Sequence, residues 1–93
     1  MTEVMSRLPE VRSAVTALGE LLEHVRSTVE AGEEIDLGGL AETTAAVCAA
    51  VEALPHDEAR PLVAELSTLV ESCETIARTY TARLAVEAAF PAP

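Results

Sequence analysis

Eight apolar residues, Val4, Leu8, Val11, Val15, Leu18, Leu22, Val25 and Val29, recur at alternating steps of four and three. That spacing keeps one face of an α-helix apolar for about seven turns, and a strand, whose side chains alternate with a period of two, cannot gather the same residues on one side. A chain that opens this way must bury the stripe against other helices. Two later segments obey the same rule. Leu37, Leu40, Thr44, Val47, Val51 and Leu54 form one seam. Leu62, Leu66, Leu69, Cys73, Ile76 and Tyr80 form another, with Val63, Val70, Ala77 and Leu84 on a line beside it. The expected fold is all-α: an up-down-up three-helix antiparallel bundle with a long third helix, in one domain over residues 1–93. The helices should span about 7–31, 37–54 and 61–88, with 89–93 as a tail. At ~1.5 Å per residue the third helix reaches ~40 Å against ~27 Å for the second, so its last turns have no second helix beside them.

Punctuation supports this division. Pro9 lacks an N–H and restricts Leu8 before it, so regular helix should begin between Ser6 and Pro9, with Val4 and Met5 folding back over its end. Gly19 costs ~1 kcal/mol against alanine inside a helix, and a close helix crossing is the expected compensation. In "EAGEEIDLGG", Gly32 stands where a left-handed C-terminal cap belongs and Asp36 where an N-cap belongs. Glu33, Glu34 and Asp36 suit the positive end of the second helix's dipole. Gly38 and Gly39 weaken the turn they occupy and allow a tight corner or the close approach of another chain. In "LPHDEARPL", Pro55 should stop the second helix, Asp57 is a candidate N-cap, and a short loop or single turn is expected from Pro55 to Arg60.

Charge excludes several partner classes. Six basic residues, all arginine, face sixteen acidic ones for a net charge of −10, and no basic cluster offers itself to phosphate backbones or anionic lipid. No nucleic acid and no membrane partner is expected. The opening "MTEVMSRLPEVRSAV" has no basic start followed by an apolar run, which predicts a cytoplasmic protein. Cys48 and Cys73 lack metal-ligand spacing. The antiparallel register sets Cys48 opposite Ser67 and Cys73 opposite Glu42, an offset of ~9 Å along the axis, so two free thiols are expected.

Enzymatic chemistry finds little purchase. No nucleophile stands beside a base and no glycine loop suits a phosphate, so no catalytic residue, cofactor or metal is expected. His24 falls at a solvent-facing heptad position and His56 in the second connection, near opposite ends of the bundle. Glu20 with Glu23, and Glu71 with Glu74, share helix faces, but no histidine stands three residues after a glutamate as a di-metal bundle site requires.

What remains is recognition through helices, since heptads on three short segments leave more apolar stripe than one monomer covers. The candidate partner-binding residues are Val63, Val70, Ala77, Tyr80, Leu84 and Phe90, and the partner is a protein helix, from a client or from a second copy in a homodimer. Helices 1 and 2 covering that surface completely is the competing expectation. Arg83 and Glu87 occupy places where the heptad asks for apolar residues, so the end of the third helix either frays or turns Val86, Phe90 and the proline tail into a docking strip.

The run "LLEHVRSTVEAGEEIDLGGLAETTAAVCAAVEALP" followed by "EARPLVAELSTLVESCETIARTYTARL", residues 21–84, resembles the small helical chaperones of flagellar export, of the FliT or FlgN kind. The shared features are leucine spacing and an Ala-Gly-acid corner between the first two helices. The resemblance implies a cytoplasmic chaperone that binds the helical C-terminus of a flagellar structural protein and keeps it soluble before secretion. No client-binding motif carries over residue by residue.

Overall fold

The computed structural model describes residues 7–90. Three helices, α1 (Leu8–Glu30), α2 (Leu37–Glu52) and α3 (His56–Ala89), pack against one another, giving the all-α three-helix bundle that the heptads predict. Cross-helix contacts fix the directions. Gly19 of α1 faces Leu69 of α3, and Val29 meets Arg83 fourteen residues further on, so α1 and α3 run parallel. Ile35 at the head of α2 meets Tyr80 and Thr44 meets Cys73, so α2 runs against α3. The molecule is a rod with principal extents of 69 × 21 × 17 Å.

The core is the heptad seam read in three dimensions. Val11, Val15, Leu18, Leu22 and Val29 of α1 close against Leu40, Val47 and Val51 of α2, Leu54 beyond it, and Leu62, Ile76 and Tyr80 of α3. Thr44 holds the buried polar place in this seam. Its hydroxyl donates to the Leu40 carbonyl at 2.9 Å and lies 3.6 Å from the Cys73 sulfur, so its burial leaves no orphaned group. Cys48 and Cys73 are free thiols, both half-buried.

The helix ends show where local chemistry decides. α1 starts at Leu8 with Pro9 in its first turn, within the expected interval, while Val4 and Met5 lie outside the described residues. It ends in a complete Schellman cap: Gly32 takes φ +83°, its N–H donates to Val29 and the Glu33 N–H donates to Thr28. The second connection is shorter than expected. Instead of a loop to Arg60, Pro55 in extended conformation serves as N-cap residue and its carbonyl accepts from both Glu58 and Ala59, which starts α3 at His56. Asp57 is therefore a first-turn acid and not the cap. Pro61 sits inside the helix, where it removes the N–H that the Asp57 carbonyl would otherwise meet; Asp57 is exposed in the first turn, so that carbonyl is open to solvent. At the other end α3 runs to Ala89, and Pro91 after Phe90 disfavours further helix.

Two glycines test this account with opposite signs. A Cβ on Gly19 would meet only the Leu69 Cδ2 atom at 3.6 Å, an ordinary contact, so the α1–α3 crossing does not require glycine there. Gly32 holds a left-handed conformation that costs a side chain roughly 1–2 kcal/mol. Gly19→Ala should raise unfolding stability by up to ~1 kcal/mol and Gly32→Ala should lower it by about 1–2 kcal/mol, both read by urea denaturation.

Candidate functional site

The acidic corner between α1 and α2 is built from capping bonds, and α3 holds it from the side. Asp36 caps α2 by accepting from the Gly39 N–H at 2.9 Å. A Cβ on Gly39 would fall inside contact distance of the Asp36 carboxylate, whereas one on Gly38 would lie 3.7 Å from it. Gly39 thus makes room for the cap, and nothing at Gly38 demands glycine.

Arg83 supplies what α1 lacks. The last turn of α1 carries no basic residue, yet its carbonyls and the negative end of its dipole call for one. From α3, the Arg83 guanidinium donates to the Val29 carbonyl at 3.0 Å and to the Glu33 carbonyl at 2.9 Å. It lies 4.9 Å from the centre of the Tyr80 ring, and its Nε faces the Glu87 carboxylate at 3.5 Å without a hydrogen bond of its own. The Tyr80 hydroxyl accepts from the Ile35 N–H at 3.3 Å. The break in the heptad at Arg83 is therefore a clamp and not the onset of fraying.

This clamp sorts the sequence-predicted partner residues. Tyr80 is 6% exposed and belongs to the core and the corner, so it is withdrawn from the accessible surface. Val63 is 51% exposed, Leu84 41% and Phe90 79%, while Val70 and Ala77 are half-buried. Helices α1 and α2 thus leave Val63, Leu84 and Phe90 open. α3 continues past the corner, and its last turns carry Leu84 and Val86, the latter 58% exposed.

A second surface escaped the sequence reading. On the flank of α3 opposite the Val63–Val70–Ala77 line, a groove of about 490 Å³ runs between α1 and α3. Leu22, Val29, Leu69 and Ile76 form its apolar lining, with Gly19 in the α1 wall. Thr68, Ser72, Thr75 and Thr79 form the α3 wall, at steps of four, three and four. The signal was present as a heptad of hydroxyls, which a search for apolar residues passes over. One rim carries Arg26, bonded to Glu23 at 2.7 Å and to Glu30 at 2.9 Å. Hydrogen bonding and charge attraction from Arg26 hold the Glu23 carboxyl below its ordinary value, and the same pairing with Glu23 raises Arg26.

Among the described residues no group of three or more His, Cys, Asp or Glu is placed to hold a metal ion, and no helix is long and apolar enough to cross a membrane. His24 and His56 are both exposed, on different helices. No family model, curated protein or solved structure matches this chain.

Removing the clamp should be costly. Arg83→Met abolishes two charge-assisted hydrogen bonds to carbonyls and should lower stability by about 2–3 kcal/mol. Arg83→Lys should recover less than half of that loss, because an ammonium cannot span both carbonyls as the planar fork does. Chemical denaturation of the three proteins checks both statements. The Glu23–Arg26 pair is solvent-exposed and serves as a local marker. Stabilisation of a carboxyl whose folded pKa is lowered is present above its unfolded pKa and fades as pH falls through the folded one. A carboxyl NMR titration should place Glu23 below the ordinary glutamate range, and Arg26→Ala should return it there.

Proposed function

We propose that this protein is a non-enzymatic helical interaction module that binds a helix of another protein along the open length of α3. One observation carries the reading: beyond the Arg83 clamp α3 extends into solvent, and Leu84, Val86 and Phe90 stand exposed on the extension. A polar terminus would serve if the last turns only closed the bundle, whereas large apolar side chains at these exposures gain by being covered. The finer proposal follows the resemblance to flagellar export chaperones, with the helical end of an export substrate as client and the cytoplasm as the place of action. A homodimer with no client is the alternative, and the open α3 surface supports it equally unless charge weighs against it. Charge does, because a copy bearing −10 approaches another with the same sign.

A photo-crosslinking residue placed at Val86 in the native host, with Ala46 on the outer face of α2 as the control position, tests the reading. Crosslinks from position 86 to a helical segment of a different protein are expected, with none from position 46. Crosslinks only between copies of this chain would reverse the choice in favour of the homodimer. The double variant Val86→Glu, Phe90→Glu should abolish the crosslinked partner while changing unfolding stability by less than about 0.5 kcal/mol, since both side chains are exposed.

A further inference from the structure

The helix-binding reading leaves open which flank of α3 receives the partner and what that partner is made of. We infer that the α1–α3 groove is the seat, and that its occupant is an amphipathic helix of another protein whose small apolar seam is flanked by lysine or arginine; this rests on the helix-binding reading and deepens it.

Three observations converge. The groove lies between two parallel helices over an apolar floor, the shape into which the ridge of a further helix packs. Its α3 wall continues without a break in register: Thr68, Ser72, Thr75 and Thr79 are followed at steps of three and four by Ala82 and Val86, with the exposed Phe90 beyond. The groove therefore leads onto the exposed extension. From residue 68 to residue 90 this track is about 33 Å long, the length of roughly 22 helical residues. The small side chains of the wall require a close approach, so the occupant's own seam is alanine-rich, with leucine opposite half-buried Leu69.

Charge selects among helices. The residues lining the groove include three carboxylates, Glu23, Glu30 and Glu71, and one guanidinium, Arg26, a net of −2. Arg26 is already shared between Glu23 and Glu30, so the rim offers carboxylates and no free cation of its own. A second copy of this acidic, lysine-free chain is the wrong complement, and a helix with basic flanks is the right one.

Three synthetic 22-residue peptides test this against the isotope-labelled full chain. One has a Leu/Ala seam with lysine flanks, one the same seam with glutamate flanks, and one the lysine flanks with the seam residues shuffled. The first should bind at least tenfold more tightly than the other two. It should move the amide signals of Gly19, Ser72, Thr75, Thr79 and Val86, and it should weaken as salt is raised. Ser72→Arg, which fills and charges the groove, should weaken binding tenfold or more. Val86→Lys on the solvent-exposed extension should do the same without any change in thermal unfolding, so a folding defect cannot imitate the result. Signal changes centred on Val63, Val70 and Ala77, indifferent to both variants, would overturn the groove assignment and leave helix binding intact. Self-association in sedimentation velocity that Ser72→Arg abolishes would make the occupant a second copy and overturn the basic-partner assignment. Failure of all three peptides would also defeat the groove proposal, and helix binding itself would fall only if position 86 also crosslinked to no other protein.

Discussion

The arrangement turns on one guanidinium. A helix end that stops against another helix leaves carbonyls to be satisfied, and the corner from Val29 to Asp36 is crowded with acids that can satisfy none of them. The Schellman bonds use two carbonyls of the last turn, and Arg83 completes the corner from outside by taking a second lone pair of Val29 and the carbonyl of Glu33. Because the two bonds diverge from one rigid plane, they fix the height of α3 against α1 to within the reach of a side chain. Slipping α3 by one heptad would put Ile76 or Phe90 near this corner in place of Arg83 and leave the carbonyls bare. The clamp therefore sets both the register of the core and the length of α3 that projects beyond it.

The same interaction explains an unusual use of charge. With six arginines, no lysine and sixteen acids, the chain has few cations to place, and one of them goes to backbone carbonyls at the corner. Another is held between two glutamates on the α1 rim. With sixteen acids against six arginines, and Arg83 turned to the corner carbonyls, the outside is strongly negative, which opposes self-association while favouring partners of opposite sign. Acidity is thus a constraint on who can dock, and it acts without any single acidic residue forming a site.

How much of this could be read in advance depends on the kind of signal. Apolar periodicity names the three helices and most of the core, because an a/d stripe has one way to be buried. Gly32 and Asp36 are legible for a similar reason: left-handed backbone and orphan amides each call for a short list of residues. The start of α3 was not, since a Pro-x-x-x-x-x-Pro stretch reads as a loop until the carbonyl of Pro55 is seen accepting two amides. Arg83 shows the limit most plainly. On the heptad it is an error, and only the parallel placement of α1 turns it into a cap for carbonyls 50 to 54 residues away in sequence. Tyr80 lies on the seam where the heptad places it, but its bond to the Ile35 amide, which takes it off the list of accessible partner residues, has no signal in the pattern.

The groove wall raises a last physical question, which is why a flank open to solvent should be made of hydroxyls and not of leucine or lysine. A leucine flank at those positions would promote indiscriminate association, and a lysine flank would bar close packing by any helix. Threonine within a helix can bond back to the carbonyl four residues earlier, as Thr68 does with Ala64 at 3.2 Å. At Thr68 the hydroxyl is thus already satisfied, so it can be covered by a partner without leaving an orphaned donor, and each of these short side chains can be wetted without exposing a large apolar area. Alongside it, half-buried Leu69 supplies the apolar contact that covering makes more favourable, while Leu22 and Ile76 beneath are already buried in the core. A wall of this composition is stable in both conditions, which an interaction surface that must exist alone before it meets a partner has to be.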